Sequence, residues 1–201
     1  MNNTYNTIKK IFIPAVVAVI LMTACENNNN NFINPKELLA AEQALLDRYY
    51  NEIIRNDSTR LEVMSAEAID TVDHRFESGM MLFHTKIGIG DSIKAYKKVG
   101  FRYSNYGIVL QNDTVIKGTD TTFVEVTAEK LRESNEYSVS PFTFTTFPVG
   151  SSANSGAYLG VNEAILHMKL YGKTKVVMPS TLADKQFKSH IFEIELTYLE
   201  Q

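Results

Sequence analysis

Apolar positions change their period several times along this chain of 201 residues, and each change marks an element. Leu38, Leu39, Leu45, Leu46, Tyr49, Tyr50, Ile53 and Ile54 recur in helical pairs. Asn34 can cap that helix, Pro35 suits its first position and Glu37 can reach back in a capping box, so the spacing predicts a helix over residues 35–55. Residues 59–78 show no usable period. Met80–Lys86 reads as a strand stopped at Gly88 and Gly90. Asp91–Gly100 reads as a second strand, with Ile93, Ala95 and Lys97 on one face. Phe101–Asn112 continues as β structure with a turn near Ser104-Asn105. Residues 113–140 look like an insertion: a threonine- and valine-rich hairpin over 114–127, turning at 117–120, and a short helix over 128–135. Pro141–Phe147 alternates with period two, placing Phe142 and Phe144 on one side and Thr143 and Thr145 on the other. After the flexible stretch 150–156, Val161, Ala164, Ile165 and Met168 return to helical spacing. Tyr171-Gly172 breaks that helix, Lys175–Met178 forms a strand closed by Pro179, and Ile191–Glu200 forms the last strand, with Phe192, Ile194 and Leu196 inward. Many sequential strands around one short amphipathic helix predict an α+β fold: an antiparallel sheet wrapped over a central helix, with an extra N-terminal helix.

The first 24 residues follow another logic. Lys9 and Lys10 precede an apolar run, Ile11–Met22, too short for a comfortable bilayer span, and small residues lead to Cys25. This is the order of a secretory signal peptide, and Met22-Thr23-Ala24-Cys25 resembles a bacterial lipobox. On that resemblance residues 1–24 are removed and Cys25 carries the lipid that attaches the chain to a membrane; an uncleaved anchor is the alternative. Residues 25–34, with the asparagine run 27–31, are a polar tether with nothing to bury, expected to be disordered. Both readings place the remainder outside the cytoplasm, in the cell envelope, on either its periplasmic or its outer-membrane face.

Charge and composition narrow the function. The formal net charge is −3 from 20 bases and 23 acids; loss of Lys9 and Lys10 leaves 18 bases against 23 acids, or −5. No basic patch suggests nucleic acid. The single cysteine allows no intramolecular disulfide. His74, His84, His167 and His190 are scattered without zinc-ligand spacing. Nothing calls for a metal or cofactor, and no triad or catalytic carboxylate pair is visible.

Order, spacing and residue type together resemble the FKBP-type peptidyl-prolyl isomerases over about residues 78–200, outside the 113–140 insertion. Ser78-Gly79-Met80-Met81 is similar to the entry strand of bacterial members, and Gly90-Asp91-Ser-Ile-Lys-Ala-Tyr96 to their G-D-x-V-x-V-x-Y. Gly107–Asn112 falls on G-x-x-F-D-S, Pro141–Phe144 on P-F-x-F, and Tyr158–Val161 on V-I-x-G-W. Gly160–Met168 resembles their central helix, and Gly172–Ala183 the following strand and turn. A domain over 78–201 follows, and a chain beginning near Ser78 is expected to fold by itself.

The resemblance implies a shallow aromatic bowl that binds proline-containing protein or peptide segments. The bowl would lower the barrier of about 20 kcal/mol to X-Pro rotation by favouring the twisted amide. It also implies the residues: Tyr96, Phe142 and Phe192 in the aromatic wall, Tyr158 where a backbone N–H meets the ligand, and Leu110, Val161 and Phe187 as further substrate contacts. Departures from the family pattern are equally specific. Val161 replaces the tryptophan of the floor, Leu110-Gln111 replaces the Phe-Asp pair that carries the pocket carboxylate, and Asp184 replaces a tyrosine. The loop before the last strand is short, with Phe187 as its only aromatic. The resemblance therefore implies a weak, lipid-anchored isomerase acting on exported proteins. The alternatives are a non-catalytic FKBP-like peptide-binding chaperone, a structural envelope lipoprotein whose helix and insertion contact partners, and an unrelated β-rich binding lipoprotein. Oligomeric state is open at this level.

Overall fold

The computed structural model describes residues 34–54, 69–117, 120–151 and 156–200. The segments expected to be a signal peptide and a tether, with Cys25, lie outside them up to residue 33. The chain divides into Met1–Glu37 and Leu38–Gln201, and the architecture below belongs to the second unit. Helix α1 is Pro35–Ile54, and strands β1 to β5 are Asp70–His74, Met80–Lys86, Lys98–Lys117, Asp120–Ser134 and Phe142–Thr145. Helix α2 is Leu159–Leu166, β6 is Lys173–Met178, a 3-10 turn covers Ser180–Leu182, and β7 is His190–Leu199. The strands form one seven-stranded sheet in the order β1-β2-β6-β7-β3-β4, with β5 also paired to β3. All pairs are antiparallel. The α+β class read from the sequence is the observed one.

Both faces of the sheet are covered, which is why Met80–Phe83 and Val176–Met178 are unbroken apolar runs and not alternating ones. Met80, Leu82, Val176, Met178, Ile194 and Leu196 pack beneath α2 with Val161, Ala164, Ile165 and Met168. Met81, Phe83, Val177, Ile191 and Ile108 point to the other face and meet Leu46, Tyr49 and Tyr50 of α1. Helix α2 lies so close to β6 that a Cβ at Gly160 would stand 2.5 Å from the Met178 sulfur, so a larger residue there would require the buried Met178 side chain to shift. The Glu163 carboxylate, also in α2, accepts from Ser78 Oγ at 3.1 Å and faces His74 Nδ1 at 3.2 Å, fastening the helix to the β1–β2 turn.

Asn34 caps α1, its Oδ1 accepting from the Lys36 N–H at 3.0 Å. The helix buries Glu42, Leu46, Tyr49 and Tyr50, a stripe at helical spacing. Glu42 accepts from the Ser180 N–H at 2.6 Å, Ser180 Oγ at 2.7 Å and Ser189 Oγ at 3.2 Å. The helix is thus part of the second core, and β1 extends the sheet back to Asp70. A unit starting near Ser78 would leave out both α1 and β1, which pack in this architecture.

Three other expectations are corrected. Asp91–Lys97 is not a strand, because its hydrogen bonds go elsewhere. The Ile93 N–H donates to the Met168 carbonyl beyond α2, and the Tyr96 N–H to the Thr146 carbonyl. There is no turn at Ser104-Asn105: β3 runs on with a register shift between Asn105 and Tyr106, a bulge. Residues 128–134 are strand, not helix. They pair with Ser104–Val109, so the 113–140 segment is the outer part of one hairpin, 20 residues against 15. Ion pairs and hydrogen bonds tie that hairpin to α1: Arg48 to Glu125 at 2.8 Å, Tyr49 to Glu129, and Glu52 to the Thr127 N–H at 2.7 Å.

Candidate binding site

A concavity of about 180 Å³ opens where β3, β5, β7 and the start of α2 meet. Strand alternation puts Phe101 and Tyr103 on the same face of β3. The β3–β5 register sets Phe142 opposite Phe101, and β7 supplies Phe192. Their rings form a chain of contacts: Phe142 to Phe101 at 5.4 Å, Phe101 to Tyr103 at 5.6 Å, Tyr103 to Phe192 at 5.6 Å and Phe192 to Tyr158 at 5.8 Å. These centroid distances are those of favourable tilted and edge-to-face pairs. Val161, buried in the first turn of α2, forms the floor with Gly156 and Ala157 beside it. Phe142 is 36 % exposed and Phe192 only 2 %, so the first offers its face to a ligand and the second is structural backing.

Glu133 stands at the rim, its Oε1 accepting from Asn105 Nδ2 at 3.2 Å. The bulge that shifts register here leaves Arg132 as the extra residue and aims its guanidinium across Gly107, where a Cβ would collide with it. Arg132 reaches the Ser189 carbonyl and the His190 ring, each at 3.2 Å. His190 is buried, hydrogen bonded through Nδ1 to Asn105 Oδ1 at 3.1 Å, and paired through Nε2 with Asp184 at 3.2 Å. Its ring stacks on Phe192 at 5.9 Å.

Burial holds the Tyr158 phenol above its ordinary pKa, helped by Glu133 and Asp184 and opposed by Arg132. Burial raises Tyr103 too, again with help from Glu133. Both hydroxyls therefore keep their protons at neutral pH and can donate. Burial depresses His190, and Arg132 adds to this while Asp184 opposes it. For Asp184 burial pushes upward, but the Gln186 N–H and His190 outweigh it, and the net shift is down.

Of the residues expected at the site, the structure brings together Phe142, Tyr158, Val161 and Phe192. Tyr96 is elsewhere: it sits before β3 with φ of 66° and is 75 % exposed, because its stretch is a loop. Leu110 lies on the outer hairpin opposite Thr127, beyond the reach of β7. Phe187 has φ of 58° and faces a different hollow, under α1. Phe101, Tyr103 and Glu133 were missed. The alternation Val99, Phe101, Tyr103 was visible and marks an inward face, whereas Glu133 was hidden by the helix assigned over it. Glu133 is the carboxylate at the edge of this concavity.

A larger hollow of about 360 Å³ lies against the opposite face of the sheet, and most of its charged side chains are engaged within the chain. Lys173 pairs with Glu195 at 3.2 Å and Lys175 with Glu129 at 2.7 Å. Arg102 is held by the carbonyls of Glu136 and Ser138 at 2.9 and 2.6 Å. Among the described residues no group of histidine, cysteine or acidic side chains is arranged to hold a metal ion.

The antiparallel sheet over a short helix is an FKBP-like arrangement, and one solved structure supports that fold. FkpA from Escherichia coli superposes with a TM-score of 0.52 at 15% identity, over 100% of this chain and 73% of that one. A peptidyl-prolyl cis-trans isomerase from Pseudomonas syringae pv. tomato gives 0.47 at 18%, over 86% and 100%. The N-terminal domain of FKBP42 from Arabidopsis thaliana gives 0.42 at 14%, over 61% and 87%. No protein-family profile and no curated protein matches the chain. The fold is FKBP-like; identities this low speak to the fold alone.

Proposed function

We propose that this chain binds proline-containing segments of exported proteins in the aromatic bowl and isomerises their X-Pro bonds slowly. The observation that carries the reading is the continuous chain of aromatic contacts from Phe142 through Phe101, Tyr103 and Phe192 to Tyr158 along a concave site. Rotation needs no covalent step. An apolar wall favours the twisted, less polar amide over the planar one, and a protonated phenol at the rim can donate to the rotated carbonyl. Tyr158 is the donor supported by its position and pKa. It stands in for the tyrosine that Asp184 replaces, because Asp184 is engaged by His190.

The second reading, peptide binding without turnover, is favoured by the floor. Valine offers much less apolar surface than tryptophan, so the twisted state gains less than in a complete bowl. Binding therefore survives better than catalysis. A protease-coupled assay on X-Pro tetrapeptides tests the activity. Turnover is expected at two or more orders of magnitude below that of a complete FKBP, each factor of ten being about 1.4 kcal/mol of barrier. Phe142→Ala is expected to abolish it and to weaken peptide binding; activity unchanged by that substitution would overturn the assignment of the bowl.

Localisation rests on the sequence around Cys25. The protein is proposed to reside in the cell envelope, held to a membrane by lipid on that cysteine. No helix among the described residues is long and apolar enough to cross a membrane. Wild type should fractionate with membranes, and Cys25→Ser should be released or remain unprocessed. A cleaved, lipid-free, soluble wild type would refute the anchor.

A further inference from the structure

The end of the sheet opposite the outer hairpin is knitted from several stretches of chain. The Ile89 N–H donates to the Leu170 carbonyl at 2.8 Å and the Ile93 N–H to that of Met168 at 3.0 Å. The Tyr96 N–H reaches the Thr146 carbonyl at 2.8 Å, the Tyr171 N–H the Leu196 carbonyl at 2.9 Å, and the Glu200 N–H the Lys98 carbonyl at 2.9 Å. Lys86 joins them where β2 pairs with the start of β6. Lys86, Lys94, Lys97, Lys98 and Lys169 thus gather at one end of the molecule. Among the described residues none of the five has a carboxylate within ion-pair distance, whereas Lys173 beside them is paired with Glu195 at 3.2 Å. Their acidic neighbours are fewer: Asp91 and Glu200 on the same stretches, and Asp70 opposite His84. Positive charge is therefore in excess at this end of a chain whose formal net charge is −3.

Apolar side chains stand among these lysines. Tyr96 is 75 % exposed, Ile89 62 %, Tyr171 47 % and Tyr198 44 %. Tyr96 and Tyr171 have φ of 66° and 63°, in the left-handed region that a bulky residue enters only where its surroundings hold it there. Burial of the rings within the chain does not offset that strain. None of the hollows described above is lined by these four side chains or by the five lysines, and a surface without a cleft suits a planar partner.

We propose that this end of the protein docks on an anionic lipid surface, its lysines meeting headgroup phosphates while Tyr96 and Ile89 enter the interfacial layer. Ammonium groups gain from the negative potential of such a surface. Tyrosine set among them suits the zone between headgroups and acyl chains, where one side of the ring is apolar and the hydroxyl stays wet. Nucleic acid and acidic proteins offer the charge without the apolar layer. The inference depends neither on the bowl nor on lipid at Cys25; it sets how the chain is oriented at a membrane. From this end β3 leads away to the outer hairpin. Phe192 lies six positions from Tyr198 on β7, about 20 Å at strand rise, so the deep part of the bowl stays clear of the bilayer.

The test uses the full chain carrying Cys25→Ser, so that no lipid is attached, and vesicles of phosphatidylcholine either alone or mixed equally with phosphatidylglycerol. An environment-sensitive dye on Tyr96→Cys should shift to shorter wavelength with the anionic vesicles. The same dye on Phe123→Cys, exposed on the outer hairpin opposite Thr114, should not. Lys94→Gln, Lys97→Gln and Lys98→Gln together should lower affinity for the anionic vesicles about tenfold or more in flotation, while binding to the neutral ones is unchanged. The apolar run Ile11–Met22, with Lys9 and Lys10, is common to both proteins, so the comparison isolates this end. Added salt should weaken the anionic component. A dye at Tyr96→Cys that does not respond to anionic vesicles overturns the inference, as does a triple variant that keeps the full preference for them. If the protein instead binds soluble polyglutamate or duplex DNA through these lysines and leaves the vesicles alone, the end serves an acidic macromolecule and the membrane inference is overturned.

Discussion

Glu42 decides how the wall of the site is held. It is an acid on the buried stripe of α1, yet its carboxylate meets three donors on the segment that follows β6. One of them, the Ser180 N–H, starts the 3-10 turn and has no partner within it. Ser180 Oγ accepts in turn from the Phe187 N–H at 3.1 Å, so the carboxylate fixes the loop that carries Asp184 and leads to His190. Nothing near Glu42 in sequence announces this, because Ser180 and Ser189 lie 138 and 147 positions away. Glu42→Ala leaves three buried donors unpaired, each costing about 1–3 kcal/mol with some relief from water. We expect a loss of about 2–4 kcal/mol in urea denaturation, with Glu42→Gln recovering part of it. A loss under about 0.5 kcal/mol, the level of an ordinary surface change, would contradict the network.

At the scale of elements, most of the fold could be read from the sequence, and the failures share a cause. The strands buried on both faces, the short helix and the final strand were legible because apolar period and Gly/Pro punctuation agree there. The segment Ala128-Glu-Lys-Leu-Arg-Glu-Ser134 was not: its residues favour helix, but pairing with Ser104–Val109 overrides local preference. That error removed Glu133 from the bowl and concealed Arg132. Tyr96 was placed at the site by the resemblance of Gly90–Tyr96 to G-D-x-V-x-V-x-Y, whereas Phe101 and Tyr103 line the concavity. Helix α1 was correctly bounded but misjudged in weight. Without it and β1, the sheet would show water Met81, Phe83, Val177, Ile191 and Ile108, all buried now. Burying such side chains contributes about 1.5–3 kcal/mol each, and a domain has only about 5–15 kcal/mol in total. A chain starting at Ser78 is therefore expected to lack a cooperative thermal transition and to bind a hydrophobic dye, while a chain starting at Asn34 melts sharply. Equal cooperativity in the two would place α1 outside the folding unit.

Acid acts on the whole molecule, through histidines in separate places. His84 in β2, His167 after α2 and His190 in β7 all have pKa values below the ordinary 6.5, first because burial disfavours the imidazolium. Their neighbours differ. Asp70 pulls His84 up and His167 pushes it down, while His74 pushes His167 down and Glu163 pulls it up. Arg132 pushes His190 down, and Asp184 and Glu42 pull it up. Since each net shift is downward, the unfolded chain binds more protons than the folded one between the two pKa values. Stability from these groups is thus complete above about pH 6.5 and declines as pH falls through the folded values. Glu52, Asp73 and Asp184 are also shifted down, from 4.5, 3.8 and 3.8; their contribution is lost only in stronger acid. Two stages should follow. The urea midpoint should stay level from pH 8 to 7, begin to fall once the pH drops below about 6.5, and fall further below about 4.5. The first stage should reach the site, because charging His190 places a cation against the ring of Phe192 and beside Arg132. Peptide affinity should therefore weaken over the same interval, ahead of global unfolding. A midpoint that holds steady down to pH 4.5 would show that the buried histidines do not govern stability, and constant peptide affinity over that range would separate His190 from the bowl.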